Sequence, residues 1–207
     1  MILQFPSIFS LNQPQWRPCI ELKRDLIVPC KCAISADYPQ SIEMNCDRVI
    51  FTHDTINILR SQPIVSISQR NCGYRILPAD LINSDLNLRK LDLSCNSIYR
   101  LMDHVLHVQR KLRELRLADN FLGDNLNPIF SSNEFHSMEE LEILDLSRNS
   151  LRSIEEGILK GCTNLEELYL DGNNLTTVPT TSLKGPRAIK VLSLAGNNIE
   201  NFFTSED

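Results

Sequence analysis

Five stretches of this chain share one pattern at a nearly constant interval. They are LRKLDLSCNSI from Leu88, LRELRLADNFL from Leu112, LEILDLSRNSL from Leu141, LEELYLDGNNL from Leu165 and IKVLSLAGNNI from Ile189. Their starting points lie 24, 29, 24 and 24 residues apart. A tandem period of this size constrains the fold more than composition does, because each unit must be one supersecondary element that stacks on its copies. A sixth, degenerate unit fits 24 residues before Leu88, as IVSISQRNCGY from Ile64, with Gln69 at a leucine position and Cys72 at the asparagine position. Its tail ends in Leu77-Pro78 as a later tail ends in Val178-Pro179, which supports that register.

Within each unit the leucine spacing reads as a short strand with alternate side chains turned inward. The remaining residues must return the chain so that the next strand lies parallel beside the first. The return is also regular: Ile82, Leu106, Phe135, Leu159 and Leu183 each stand six residues before the next unit and are expected inside. The buried side chains of one unit do not offset the entropy of ordering it, so only stacking on neighbours stabilises the chain. The expected fold class is an α/β solenoid with a concave parallel sheet and a convex side of loops and short helices.

An asparagine recurs among these leucines, as Asn96, Asn120, Asn149, Asn173 and Asn197. Each falls where the chain leaves its strand and main-chain groups lose their partners. A carboxamide offers donors and an acceptor together, so each is expected to bond to the main chain of the neighbouring unit. The reading is a structural ladder and not a catalytic set. Cys72, with its weak thiol donor, is a tolerable substitute near the start of the stack.

The seven cysteines fall into two groups. Cys19, Cys30, Cys32 and Cys46 precede the repeats, where the first unit would otherwise face water. Their even count and C-x-C pair read as a disulfide-stapled cap in an oxidising compartment. Four cysteines allow three pairings, and spacing alone does not choose among them. A zinc site fits this irregular spacing badly. Cys72, Cys95 and Cys162 lie within the repeats and are expected as free thiols, Cys162 buried and Cys95 partly exposed.

A chain of 207 residues at 42% hydrophobic is enough for one folded domain. A net charge of −5 argues against nucleic acid, whose phosphates need a basic surface. No apolar run is long enough to span a bilayer. The opening MILQFPSIFSLNQPQW lacks a basic n-region and is interrupted by Pro6 and Pro14, so it makes a poor export signal. No nucleophile elbow, P-loop, zinc-protease helix or glycine-rich dinucleotide turn is present, so no enzyme is expected and no cofactor or metal is implied. His104 and His107 stand three apart on the return segment without a third ligand, and a metal role is not assigned to them.

These units and the cysteine-flanked start resemble the extracellular leucine-rich repeat proteins that carry an N-terminal cysteine cap, the class of Slit-like, Toll-like and chaoptin-like cell-surface proteins. The stretch LADNFLGDNLNPIFSSNEF is also similar to insect proteins of the chaoptin and artichoke type. The resemblance implies a right-handed horseshoe, a cap over residues 19–51 and about six repeats over residues 52–207, after an irregular segment or leader at 1–18. It also implies the pairings Cys19–Cys32 and Cys30–Cys46, although the ten residues between Cys19 and Cys30 exceed the usual gap of the family. The expected chain is a fragment: the last unit stops early, and no C-terminal cap follows it.

Function is expected on the outward strand positions. Position three of the units gives Lys90, Glu114, Ile143, Glu167 and Val191; position five gives Asp92, Arg116, Asp145, Tyr169 and Ser193; position seven gives Ser94, Ala118, Ser147, Asp171 and Ala195. The candidate partner-binding set is Lys90, Asp92, Glu114, Arg116, Asp145, Glu167, Tyr169 and Asp171, since Tyr and Arg are the types most often energetic at protein interfaces. The 29-residue unit adds a loop in GDNLNPIFSSNEF, and Asn174-Leu175-Thr176 is an N-glycosylation sequon. The reading is a module of a secreted or cell-surface protein that binds a protein ligand or another cell-surface protein in adhesion or receptor signalling. Membrane attachment is expected only through segments outside this chain. The rival readings are a matrix scaffold and an intracellular adaptor with reduced thiols.

Overall fold

The computed structural model describes residues 14–83, 86–101, 105–123 and 135–200. One sheet organises it, with strands β1 to β9 neighbouring each other in chain order. β1 (Arg17–Pro18) leads into a single helical turn, α1 (Cys19–Leu22), and pairs antiparallel with β2 (Lys31–Ile34). β2 pairs antiparallel with β3 (Ile42–Asn45), and every later pairing is parallel. The parallel strands are β4 (Ile64–Ser68), β5 (Lys90–Asp92), β6 (Glu114–Arg116), β7 (Ile143–Asp145), β8 (Glu167–Tyr169) and β9 (Val191–Ser193). The result is the solenoid horseshoe that the period predicts, with the sheet lining its concave side.

The strands are short because the pattern leaves the extended state quickly. Position four is a buried leucine in β5 to β8, and position six buries a second one, as Leu93, Leu117, Leu146 and Leu170. Two residues later the backbone turns left-handed, with φ of 57° at Cys95, 55° at Asp119, 51° at Arg148 and 63° at Gly172. That conformation carries the chain off the sheet. It suits glycine best, and at Gly172 a Cβ would also come within 2.8 Å of Arg148 Cγ.

Among the described residues, short helical elements lie on several of the convex return segments. They are α2 (His53–Arg60), α3 (Ala79–Ile82) and two 3₁₀ turns, Val105–Val108 and Ser182–Lys184. α2 starts at Thr52, whose hydroxyl accepts the Thr55 N–H at 3.2 Å, and it buries Ile56 and Leu59. Ile82, Leu106, Phe135 and Leu159 are buried in one continuous core. Leu183 is only half-buried. It still packs against that core, and Ser182 before it is buried as Leu81 and Ile158 are, its hydroxyl within 2.9 Å of the Ile154 carbonyl and 2.8 Å of the Glu155 carbonyl.

The asparagines bond across units. Asn149 Nδ2 donates to the Leu117 carbonyl of the preceding unit at 2.9 Å and to Leu146 of its own at 3.1 Å. Asn173 Oδ1 accepts from the main-chain N–H groups of Asn149 and Leu151 at 2.9 and 3.1 Å. Asn96, Asn120 and Asn197 repeat the pattern on Gln69, Leu93 and Leu170. At the degenerate unit Cys72 Sγ lies 3.4 Å from the Val49 carbonyl, and Gln69 Nε2 donates to the same oxygen at 2.8 Å.

Two disulfides, Cys19–Cys32 and Cys30–Cys46, tie α1, β2 and β3 together. β3 lies in frame with the repeats, as Glu43 pairs with Ser66 and Met44 with Ile67. The parallel stack therefore begins among the cap cysteines. Arg48, φ 63°, makes the same left-handed exit as the later units.

Candidate partner-binding face

The strand register aligns two columns of outward side chains. Position three runs Glu43, Ser66, Lys90, Glu114, Ile143, Glu167, Val191. Position five runs Asn45, Ser68, Asp92, Arg116, Asp145, Tyr169, Ser193. Between them the two columns carry five carboxylates and two cations. From β5 to β8 these side chains are part-exposed while the leucine between them is buried.

Both cations are already engaged. Arg116 pairs with Glu114 on its own strand and approaches Asp145 on the next, Nη1 to Oδ2 at 4.0 Å. Lys90 Nζ donates to Asp37 Oδ2 at 2.7 Å. Burial works against its ammonium, but the hydrogen bond and charge of Asp37 outweigh it and raise the Lys90 pKa. Tyr169 donates its phenolic O–H to Glu167 Oε2 at 2.7 Å, and that bond holds the tyrosine pKa above its usual value. Asp92 lies 3.9 Å from Arg70, and its carboxylate accepts the Ser94 N–H at 2.9 Å.

Position seven departs from the outward reading. Ser94, Ala118 and Ser147 are each 4% exposed. The strand ends at position five and the chain bends inward, with the Asp145 carboxylate accepting the Ser147 N–H at 3.0 Å as Asp92 does for Ser94. Asp171 is held in the stack, its Oδ1 accepting from Ser193 Oγ at 2.5 Å and from the Ala195 N–H at 2.8 Å.

The sequence pattern overlooked the contribution of the cap. Asp37 and Tyr38, in the turn between β2 and β3, line an open hollow of about 540 Å³ together with Arg89, Lys90, Arg113, Glu114, Glu142 and Ile143. The sequence carries only a trace of β3: in SIEMNCDRVIF, Met44 and Cys46 take the two inward positions of a unit. Nothing local in the sequence marks Asp37. A second charged line runs along the strand exits, where Arg148 grips Asp119 through Nε at 2.5 Å and Nη2 at 2.7 Å. That grip lowers the Asp119 pKa and raises that of Arg148.

Cys95 lies on the same line, Arg70 Nη2 donating to its sulfur at 3.2 Å. Cys72 and Cys162 are free and buried, and Cys95 is free and half-buried. Asn174 is exposed, as is Thr176, while Leu175 between them is buried. His104, the side chain of His107 and residues 124–134 of the extended unit lie outside the described residues. Among the described residues no cluster of His, Cys, Asp or Glu is placed to hold a metal ion, and no helix is long and apolar enough to cross a membrane.

The leucine-rich repeat family model matches residues 86–151 and 139–199, more than half of the 207-residue chain. No curated protein matches. Among solved structures, the chain is similar to one in the Drosophila Toll–Spatzle complex, described as a molecular hub in development and innate immunity, with a TM-score of 0.54 at 20% identity. That likeness covers 72% of this chain and 22% of the other, and it is a likeness of fold.

Proposed function

Since the chain belongs to the leucine-rich repeat family, we propose that it is a non-enzymatic recognition module of a secreted or cell-surface protein. It binds a protein ligand or another cell-surface protein through the concave face, in adhesion or receptor signalling. The observation that carries this reading is the register of β3 to β9. It holds two columns of polar and aromatic side chains on a rigid sheet, while the asparagine ladder satisfies the main chain behind them. Residues 19–51 act as the cap that closes the stack, and residues 52–207 carry the units.

Two further features support a place outside the cell. The pairs Cys19–Cys32 and Cys30–Cys46 are of the kind that persists in oxidising compartments. The sequon at Asn174 sits on an exposed turn, where an oligosaccharide would project away from the core. The likeness of fold to a chain of the Toll–Spatzle complex is in keeping with a recognition role. The narrower kinship with chaoptin and artichoke proteins rests on a stretch that lies largely outside the described residues.

The test secretes the chain from a eukaryotic host and probes it against a panel of secreted and cell-surface ectodomains. Three free thiols per chain, a mass loss on deglycosylation that Asn174→Gln abolishes, and a partner whose binding is lost in the double variant Arg116→Glu, Tyr169→Ala would sustain the reading. Seven free thiols would favour the intracellular adaptor. Partner binding untouched by the double variant would favour a matrix spacer.

A further inference from the structure

Glu167 is the acid of the concave columns with an apolar residue on both flanking strands. The register sets Ile143 on β7 and Val191 on β9 directly beside it, and Tyr169 is its same-strand neighbour on the same face. Val191 is 38% exposed, and Ile143 and Tyr169 are part-exposed. Three apolar or aromatic side chains thus surround one carboxylate on a rigid surface.

The carboxylate itself is left over. Among the described residues Glu167 forms no ion pair, and the hydrogen bond it receives comes from the neutral Tyr169 hydroxyl. The two cations of the columns are committed elsewhere, Arg116 to Glu114 and Asp145, Lys90 to Asp37. Lys190, beside Val191, is engaged by Glu166 at 2.7 Å. This end of the face is therefore acidic with an apolar centre, and its field is not neutralised from within.

Resting on the recognition reading above, we propose that the β7–β9 end of the concave face docks a basic segment of a protein partner, one that places an aliphatic or aromatic side chain among Ile143, Tyr169 and Val191 and a lysine or arginine on Glu167. Charge complementarity decides the occupant. An acidic segment would set like charges together, and each such juxtaposition is costly at an interface. A second copy of this chain is disfavoured for the same reason, since its own net charge is −5. The apolar centre supplies burial, and the surrounding acids set orientation and speed of encounter.

Fluorescence anisotropy of the secreted chain with three labelled peptides tests this. The probes alternate lysine with leucine, lysine with serine, and glutamate with leucine, eight residues each in design. The lysine–leucine peptide is expected to bind, and to bind more weakly as salt rises. Glu167→Lys is expected to weaken it by about tenfold, as reversal of an interface charge does, and Val191→Ser to weaken it severalfold. Glu156→Lys, on the exposed return segment, controls for net charge and should leave binding within twofold. Equal loss in Glu156→Lys and Glu167→Lys, tighter binding of the glutamate–leucine peptide, or a chain that sediments as a dimer until Glu167 is reversed would each overturn the proposal. An ectodomain partner that is lost with Arg116→Glu, Tyr169→Ala but binds Glu167→Lys normally would sink this inference and leave the recognition reading standing.

Discussion

Lys90 Nζ meets Asp37 Oδ2 at 2.7 Å across 53 residues of chain, joining the turn of the cap to the third strand beyond it. The contact links the turn of the cap to the concave face and walls one side of the hollow that Tyr38 also lines. Both side chains are well exposed, 37% for Lys90 and 58% for Asp37, so the pair is a positioning contact more than a stabilising one. Asp37→Ala is expected to lower stability by less than about 1 kcal/mol. Urea denaturation should show that difference shrinking in about 0.5 M salt, where surface pairs are screened; a salt-independent loss would mean the turn is held by something else.

Asn173 and Asn174 are adjacent and should behave oppositely. Asn173→Ala takes the acceptor from the buried main-chain N–H groups of Asn149 and Leu151, while the Leu146 and Leu170 carbonyls each lose one donor and keep Asn149 and Asn197. A loss of about 3 kcal/mol is expected, because two buried N–H groups are orphaned together. Asn174→Ala touches an exposed side chain and should stay within about 0.5 kcal/mol. Chemical denaturation of both variants measures the contrast directly.

The three free thiols should separate by reactivity. Burial pushes the Cys162 thiol up to about 12 and also raises Cys72, so neither forms much thiolate near neutral pH. Cys95 is half-buried at the left-handed exit of its strand. Alkylation of the native chain near pH 8 should mark Cys95 first, with Cys72 and Cys162 reacting only after denaturation. Peptide mapping that finds Cys162 modified at the rate of Cys95 would contradict the packing around it.

The Asp119–Arg148 pair makes a small acid-sensitive contribution. The hydrogen bonds from Arg148 hold the Asp119 pKa below its unfolded value of about 3.9. Stability from the pair is therefore present above that value and is lost as pH falls through the lower, folded one. Because the Asp119 and Arg148 side chains are 35% and 57% exposed, solvent screening keeps the amount under about 1 kcal/mol. The stability gap between the wild type and Asp119→Asn should be open at pH 7 and closed near pH 2. A gap that stays constant over that range would place the effect of the substitution outside this ion pair.

Removing one cap disulfide should cost more than any of these surface changes. The Cys30–Cys46 bond closes a separation of 16 residues, for which chain entropy predicts about 3 kcal/mol. The double variant Cys30→Ala, Cys46→Ala is expected to unfold that much more readily, with proteolysis beginning around β2 and β3. Unchanged resistance to protease would mean that Leu26, Ile42 and Met44 hold the cap without the bond.

The sequence alone determined whatever repeats. Its period dictated a stack, its leucine spacing dictated which side chains of β5 to β8 face inward, and the recurring asparagine announced where main-chain groups would need partners. These are local rules, reissued in every unit, so five copies were enough to read them. The outward columns at positions three and five were legible for the same reason. What the tertiary structure decided are the places where a unit meets something unlike itself. Asp37 reaches Lys90 because the turn between β2 and β3 folds over the sheet, which no spacing encodes. β3 enters the parallel ladder although Ser41 and Val49 stand where a leucine and an asparagine would mark a unit. Position seven turns inward at Ser94, Ala118 and Ser147 because the chain leaves the extended state two residues earlier than strict alternation assumes, drawn by the left-handed turn that follows. Ser182 is buried where other units place Leu81 and Ile158, because its hydroxyl meets two carbonyls of the preceding unit there. Periodicity fixes how a unit treats its own copies; contacts between unlike segments depend on where the stacked backbone carries each of them in space.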